Sequence, residues 1–286
     1  MKLAIGTVQF GMKYGVANTE TTVTENVVKA IINHAIKTNI DTLDTAAVYG
    51  SSEVVLGKLG VGDFKLISKL PSYSNSKVKA SSWVMHFIEQ SLNNLCCNSI
   101  HGLLLHQPLD LIGPHGNEIY RTLQHLKSKG IVKKIGISIY SPNDLDSLSD
   151  FRFDIVQAPM NLIDRRLKHS GWLEKLKKRG TEVHIRSAFL QGLLLMPINK
   201  RPNYFLPWKD ILNEFDVWVA SQNLTPLEAC FGHLNTHSEI DRIIVGVNSV
   251  SQLKEVILAS ITPAILVPES IQTNDTDFIN PSKWAL

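Results

Sequence analysis

The sequence predicts an α/β protein, a closed parallel (β/α)8 or TIM barrel that forms a single domain. Eight short apolar runs alternate with segments of helical periodicity along the 286 residues. That length is sufficient for one large α/β core. An open doubly wound sheet is the alternative. Such sheets usually carry a glycine-rich G-x-G-x-x-G turn for phosphates, and the sequence contains none.

The strand predictions rest on short runs rich in β-branched and leucine residues. Most of these runs are apolar throughout rather than alternating, which is typical of parallel strands buried on both faces. In chain order they begin near Leu3, Asp41, Phe64, Gly102, Lys134, Asp154, Glu182 and Arg242.

Helices are predicted between the strands from apolar positions that repeat with the helical period. In the first, residues 24–39, Thr24 is placed to cap the N-terminus and Asn39 to end the helix. The single domain is predicted to span residues 1–286, with an irregular tail over about 262–286. The other predicted helices are 76–95, 117–130, 142–150, 170–180, 208–222, 226–237 and 250–260.

Composition and charge exclude several classes of partner. Hydrophobic residues make up 44% of the chain and charged residues 19%, and the net charge of +3 is spread along it, so neither nucleic acid nor a membrane is expected as a partner. The chain has three cysteines and no C-x-x-C pair, and its N-terminus lacks the pattern of a signal peptide. We therefore expect a cytoplasmic protein.

Four polar residues fall at or just after the ends of three adjacent predicted strands. They are Asp44, Tyr49, Lys69 and His106. Each alone is more typical of a structural residue, but the carboxyl ends of barrel strands meet at one rim, where barrel enzymes hold their active sites. An ammonium beside a phenol favours the phenolate, and a carboxylate keeps that ammonium charged and in place. An imidazole can orient a substrate carbonyl. This combination suits protonation of a carbonyl oxygen while a nicotinamide supplies hydride.

The same segments resemble the aldo-keto reductase family over nearly the whole chain. "DTAAVYGSSE" is similar to the family's D-T-A-x-x-Y-G-x-S-E segment, "ISKL" to its strand-three lysine motif and "LLLHQP" to its strand-four histidine motif. The resemblance implies a catalytic tetrad of Asp44, Tyr49, Lys69 and His106, with Tyr49 as the proton donor. It gives Glu53 a role in fixing the loop.

The resemblance also implies a binding site for a nicotinamide cofactor, in which Asp44 takes part. "IGISIYSP" gives Ser138 and "DIVQAPMNLID" gives Gln157 as partners of the carboxamide, with Asn161 as a weaker candidate. Where many members have an asparagine after the serine, this chain has Ile139. The remaining implied contacts come from strand seven and from the segment after strand eight: Arg186, Ser187, Phe189, Gln191, Gly192, Gly246, Asn248, Ser249, Gln252 and Glu255.

Two of these implied contacts depart from the usual pattern. Arg186 stands where many members place an aromatic ring, and it is expected either to stack on the nicotinamide or to form an ion pair in the barrel mouth. Asn248 and Gln252 replace cations that would select a 2′-phosphate. The resemblance to the family still implies NADP(H) as the cofactor, but without these cations discrimination is expected to be weak and NAD(H) is not excluded. Lys200 or Arg201 could assist from the loop after strand seven.

The resulting hypothesis is NAD(P)H-dependent reduction of a small-molecule aldehyde or ketone, of which a sugar-derived aldehyde is one candidate. Two alternatives stay open: a cofactor-sensing subunit with little turnover, and a barrel isomerase or aldolase in which Lys69 forms a Schiff base. No metal is expected. Cys230, His233 and His237 have a spacing that could hold one, but a packed helix face accounts for them better.

Overall fold

A computed structural model describes residues 2–18, 22–73 and 78–285. Its eight parallel strands pair in chain order, and β8 pairs back with β1, so the sheet closes into a barrel. The predicted fold class is confirmed. The strands are β1 (Leu3–Gly6), β2 (Thr42–Asp44), β3 (Lys65–Leu70), β4 (Ile100–Leu105), β5 (Val132–Ser138), β6 (Ile155–Pro159), β7 (Glu182–Arg186) and β8 (Ile240–Gly246).

Every predicted helix is present, with ends that differ by a few residues. The predicted start at residue 76 lies outside the described residues, and the helix predicted over 226–237 ends earlier, at Leu234. The α-helices are α1 (Val8–Gly11), α2 (Glu25–Lys37), α3 (Ser52–Lys58), α4 (Ala80–Asn94), α5 (Gly116–Ser128), α6 (Pro142–Ser147), α7 (Arg166–His169), α8 (Trp172–Lys178), α9 (Lys209–Ser221), α10 (Pro226–Leu234), α11 (Val250–Ala259) and α12 (Thr276–Ile279). None of the helices among the described residues is long and apolar enough to cross a membrane.

The barrel interior is packed with side chains. Ile67, Leu104 and Ile155 form a small buried cluster inside the ring of strands. Gly102 leaves room for two of them, because a Cβ at that position would lie 2.7 Å from Cδ1 of Ile67 and 3.0 Å from Cδ1 of Ile155. The barrel is therefore filled at this level, and the cavity lies at the carboxyl ends of the strands, where Gly6, Asp44, Arg186 and Gly246 line it.

Strand register brings the predicted rim residues to one level. Asp44 pairs with Ile67, two residues before Lys69, and Ser138 pairs directly with Gln157. Arg186 pairs with Pro159 at the end of the next strand. Because all eight strands are parallel, these side chains meet at one mouth.

The C-terminal tail has more structure than the sequence predicts. It contains α12 and a short 3₁₀ turn at Pro281–Lys283, and it contributes Ile271, Phe278 and Ile279 to a second hydrophobic core. In that core the ring of Trp208, which precedes α9, stacks on Phe278 with 5.1 Å between centroids. The prediction of an irregular tail is therefore wrong for its last ten described residues.

Candidate active site

A buried ion pair joins the ends of β2 and β3. Nζ of Lys69 donates to Oδ2 of Asp44 at 2.6 Å and to the carbonyl of Thr45 at 2.9 Å. The lysine side chain is completely buried, and that of the aspartate is 5% exposed. Burial alone would lower the pKa of Lys69, but the Asp44 carboxylate and the Tyr49 phenol outweigh it and the pKa is raised. The ammonium is therefore charged at neutral pH.

Tyr49 lies against this ammonium, in the turn that follows β2. Nζ of Lys69 is 5.1 Å from the centre of the Tyr49 ring. The turn is held tightly: the Tyr49 carbonyl accepts from the amide of Ser52 at the start of α3. A Cβ at Gly11 would lie 1.9 Å from that carbonyl, so only glycine fits there. The backbone of the turn that carries Tyr49 is therefore fixed by α3 and by Gly11.

His106 follows β4 and completes the group. Its ring packs edge to face with Tyr49, with 6.1 Å between centroids and an interplanar angle of 83°. Burial, together with the charges of Lys69 and Arg186, lowers the pKa of His106 to about 4. The imidazole is consequently neutral at physiological pH and can donate a hydrogen bond without carrying a charge.

Two further polar side chains lie beneath the tetrad. Nε2 of Gln157 donates to Oδ1 of Asp44 at 2.8 Å, and Oγ of Ser138 lies 3.4 Å from Oε1 of Gln157. Gln157 thus fixes the carboxylate that holds Lys69. Asn161 instead stabilises the backbone, because its Oδ1 accepts from the amides of Ile163 and Asp164 and its Nδ2 donates to the carbonyl of Ser187.

Glu53 is buried and, as expected, fixes its surroundings. Its Oε1 accepts from the Ser68 hydroxyl at 2.6 Å, and its Oε2 accepts from the Asn94 amide at 3.3 Å. These bonds tie α3 to β3 and to the end of α4.

Arg186 ends β7 and projects into the mouth. Its guanidinium carbon is 4.5 Å from the centre of the Tyr140 ring, and Nη2 donates to the carbonyl of Ile139 at 2.8 Å. Nη1 lies 3.4 Å from Oγ of Ser187. Among the described residues Arg186 forms no ion pair, so the expected mouth salt bridge is not found.

The turn after β7 lines one wall of a cavity at the mouth of the barrel. Ser187, Gln191 and Gly192 have φ angles of 58°, 53° and 92°, so the backbone turns sharply here. Phe189 lies in the same wall. A Cβ on Gly192 would lie 2.7 Å from Cβ of Ala17, because the loop after β1 packs directly on this turn.

The segment after β8 lines another part of the same cavity. Ser249 caps α11, its Oγ accepting from the amide of Gln252 at 3.1 Å. Oε1 of Gln252 accepts from the amide of Asn248 at 2.7 Å, which leaves the Gln252 amide nitrogen available. Asn248, Gln252 and Glu255 line the cavity together with Gly246. Ser249 acts through the backbone of α11.

A cavity of about 760 Å³ lies at this mouth. Asp44, Tyr49, Gln157 and Arg186 are on its lining, whereas Lys69, His106, Ser138 and Ser249 are not. It runs from Tyr49 and Gln157 along the β7 turn to Glu255, and its size suits a cofactor-sized ligand. Two buried oxygens on its lining, Oε1 of Gln9 and Oδ1 of Asn248, have no hydrogen-bond partner among the described residues. An extended ligand with amide, hydroxyl and phosphate groups, such as a nicotinamide dinucleotide, fits this lining.

Sequence reasoning did not name several lining residues, among them Gln9 and Tyr14, and it left Lys200 uncertain. Gln9 and Tyr14 lie in the segment after β1 and carry no motif of their own. Lys200 lines the cavity, whereas Arg201 is committed to Asp216 through two bonds of 2.6 Å and 2.7 Å. The suggestion that Arg201 assists at the cofactor is therefore not supported by its position.

Comparison with known families agrees with this geometry. The model of the aldo/keto reductase family matches residues 2–273. The chain belongs to this family. Membership implies an oxidoreductase with NAD(P)H-dependent carbonyl chemistry. A search among curated proteins gave no significant match.

Solved aldo-keto reductases share the fold. The holo form of AKR11C1 from Bacillus halodurans is 22% identical with a TM-score of 0.75, covering 94% of this chain and 89% of that one. Its apo form gives a TM-score of 0.71 at the same identity and coverage. PA4992 of Pseudomonas aeruginosa, described as a candidate aldo-keto reductase, is 22% identical with a TM-score of 0.68, covering 91% and 89% of the two chains.

Proposed function

We propose that this aldo-keto reductase reduces an aldehyde or ketone to an alcohol, with Tyr49 as the general acid and Lys69, Asp44 and His106 as its supporting residues. The observation that carries the proposal is the Asp44–Lys69 ion pair placed directly against the Tyr49 phenol, at 2.6 Å and 5.1 Å. A buried, charged lysine beside a phenol has no packing purpose that an apolar residue would not serve better.

Each side chain has a defined role in this reaction. Tyr49 gives its proton to the carbonyl oxygen as the alcohol forms. The Lys69 ammonium stabilises the negative charge that Tyr49 then carries, and Asp44 holds that ammonium in place. His106, neutral because burial and neighbouring cations lower its pKa to about 4, hydrogen-bonds the carbonyl oxygen and orients it.

The remaining polar residues of the mouth are proposed to hold the cofactor, which when bound supplies the hydride. Gln157, on the cavity lining, and Ser138, its partner in the strand pairing, are proposed to bind the carboxamide. The turn from Ser187 to Gly192 offers backbone amides to a pyrophosphate. Asn248, Gln252 and Glu255 are proposed to bind the adenosine, and Lys200, which is also on the cavity lining, is the cation proposed to meet a 2′-phosphate. We propose NADPH as the cofactor on this ground, with NADH accepted less well.

The first test is Tyr49→Phe, with reduction of a panel of aldehydes followed by nicotinamide absorbance. Removing one positioned general acid typically lowers the rate by about 10²–10⁴. Cofactor affinity, measured by fluorescence titration, is expected to stay within about twofold because only a hydroxyl is lost. Tyr120→Phe is the matched control, since its hydroxyl bonds to the carbonyl of Arg152 away from the cavity.

Three outcomes are decisive. A Tyr49→Phe variant that retains more than half of the wild-type turnover refutes the assignment of the general acid. Tight NADPH binding by the wild type with no turnover on any carbonyl would favour a cofactor-sensing subunit instead. Labelling of Lys69 by borohydride in the presence of a carbonyl substrate would favour a Schiff-base enzyme.

A further inference from the structure

We propose that Thr7, Thr45 and Ser52 are positioning residues for the reduction. Their side chains form a buried chain of hydroxyls that holds the ion pair of the tetrad in register with the turn that carries Tyr49. The inference rests on the proposed reductase function and deepens it, because it identifies what aligns the ammonium with the phenol. All three residues are completely buried.

The hydroxyl chain runs from one side of the Asp44–Thr45 peptide bond to the other. Oγ1 of Thr7 donates to the carbonyl of Asp44 at 3.0 Å. Oγ of Ser52 donates to Thr7, whose Oγ1 and carbonyl oxygen lie at 2.8 Å and 2.9 Å. Oγ of Ser52 is also 3.2 Å from Oγ1 of Thr45. Because each hydroxyl has one proton, and Ser52 and Thr7 have used theirs, Thr45 is the donor in this last bond.

The peptide that this chain encircles also holds the ammonium of Lys69. The Asp44 carboxylate and the Thr45 carbonyl accept from Nζ of Lys69 at 2.6 Å and 2.9 Å. The Asp44 carbonyl receives a second bond, from the amide of Thr7 at 2.9 Å. The pairing of β1 with β2 ends at Gly6 and Asp44, and from that point the hydroxyl chain joins the two segments in place of the sheet ladder. The hydroxyls therefore fix both acceptors of the ammonium.

Ser52 connects this peptide to the general acid. It is the first residue of α3, and its amide donates to the carbonyl of Tyr49 at 3.1 Å. One residue thus binds the Tyr49 turn through its backbone and the ends of β1 and β2 through its side chain. A buried hydroxyl without a partner is costly, so a shift of either segment that broke the chain would be unfavourable. The chain therefore specifies one alignment of Lys69 against Tyr49, in which Nζ is 5.1 Å from the centre of the ring.

The kinetic test removes the hydroxyls of Ser52 and Thr45, which are not on the described cavity lining, whereas Thr7 is. Single-turnover reduction of 4-nitrobenzaldehyde at saturating NADPH is followed by nicotinamide absorbance. Ser52→Ala and Thr45→Val should each lower the maximal rate by about 10- to 100-fold, because a misaligned proton donor slows the chemical step. The half-saturating aldehyde concentration and the Kd of NADPH should stay within about twofold. Thr45→Ser keeps the hydroxyl and should retain most of the wild-type rate.

Two comparisons separate positioning from a loss of stability. Thr181→Val removes another buried hydroxyl, which donates to the carbonyl of Phe153 at 2.9 Å near the amino ends of the strands, and it should leave the rate unchanged. The double variant Ser52→Ala/Thr45→Val should be little slower than the slower single variant, because either change already breaks the chain. Unchanged rates, multiplicative losses or an equal loss in Thr181→Val would overturn the proposal. If Ser52→Ala does not fold, Thr45→Val against Thr45→Ser still decides.

A measurement without turnover separates this inference from the reductase proposal. Hydrogen exchange, followed by mass spectrometry, compares the peptide that covers residues 44–52 in the wild type, Ser52→Ala and Thr181→Val. We expect at least about tenfold faster exchange of this peptide in Ser52→Ala alone. Faster exchange in a protein that reduces no carbonyl would refute the reductase and keep the hydroxyl chain as the device that fixes this turn. Reduction by Ser52→Ala at the wild-type rate would keep the reductase and refute the positioning role.

Discussion

The buried Asp44–Lys69 pair makes a quantitative prediction about stability. Its charges are 2.6 Å apart with side chains 5% and 0% exposed. At an effective dielectric constant of about 20 their attraction is about 6 kcal/mol. Transfer of each ion out of water costs several kcal/mol, so the intact pair is close to neutral in net free energy. Removing one partner leaves the other charge buried and unpaired.

We therefore expect Asp44→Asn and Lys69→Met each to lower the free energy of unfolding by about 3–5 kcal/mol at pH 7. The double variant leaves no unpaired charge. It should therefore cost less than either single variant, which corresponds to a coupling energy of more than about 3 kcal/mol. Urea unfolding followed by circular dichroism measures all four proteins. If the asparagine of Asp44→Asn keeps its oxygen toward Gln157, its amide nitrogen faces Nζ of Lys69, so this variant removes the acceptor of Lys69 together with the charge.

The same two strands provide the control. Nζ of Lys65 lies 2.7 Å from Asp41, with both side chains nearly half exposed. Water screens this pair, and Lys65→Met should cost less than about 1 kcal/mol. Single-variant costs below about 1 kcal/mol at Asp44 and Lys69, or strictly additive costs in the double variant, would refute the reasoning.

Three further predictions concern cofactor choice, acid stability and packing. Asn248→Lys with Gln252→Arg should tighten NADPH by at least about tenfold and leave NADH nearly unchanged in fluorescence titration, because each new cation can pair with the 2′-phosphate; equal tightening of both cofactors would contradict the assigned adenosine end. Burial lowers the pKa of His233 to about 3, so the unfolded chain takes up a proton there first as the pH falls. Between about pH 7 and pH 4 the free energy of unfolding of His233→Gln should therefore fall by roughly 3 kcal/mol less than that of the wild type. Urea unfolding at each pH measures this difference, and the same pH dependence in both proteins would exclude this role. Gly57→Ala should cost about 1–3 kcal/mol, since its Cβ would lie 2.0 Å from the carbonyl of Asn94. Gly62→Ala, with nothing within 4 Å, is the control and should change stability by less than about 0.5 kcal/mol.

The sequence predicts the strands well because their signal is local. Each buried strand is a short apolar run, and the polar residue that ends it stands out, as Asp44 and Lys69 do. Helix α3 was missed because its sequence is short, follows the turn at Gly50 and contains Gly57. That glycine weakens the helical pattern, yet it is required where α3 meets the end of α4.

The parts of the site that sequence reasoning missed depend on contacts between distant segments. Gln9 and Tyr14 reach the cavity because the loop after β1 packs on the β7 turn, at Ala17 and Gly192. Neither residue belongs to a pattern that marks a ligand. Gln157 was expected at the cofactor, and its bond to Asp44 is likewise a product of the closed barrel. The cofactor contacts stay predictions, whereas the fold and the family are confirmed.

The C-terminal tail stabilises the segment that follows Lys200, which forms a 3₁₀ helix at Asn203–Trp208. Arg165, which precedes α7, donates to the carbonyls of Pro268 and Ile271 at 2.9 Å and 3.2 Å. Trp208 stacks on Phe278 and donates to Asp275 at 2.8 Å. The tail is therefore fixed at one end to the barrel and at the other to the segment that follows Lys200. Lys200 lies between Met196 and Tyr204, which pack against the second hydrophobic core, so the packing of that core holds the segment that brings Lys200 to the cavity lining. Substitutions in the tail should for this reason change cofactor affinity before they change the chemistry at Tyr49.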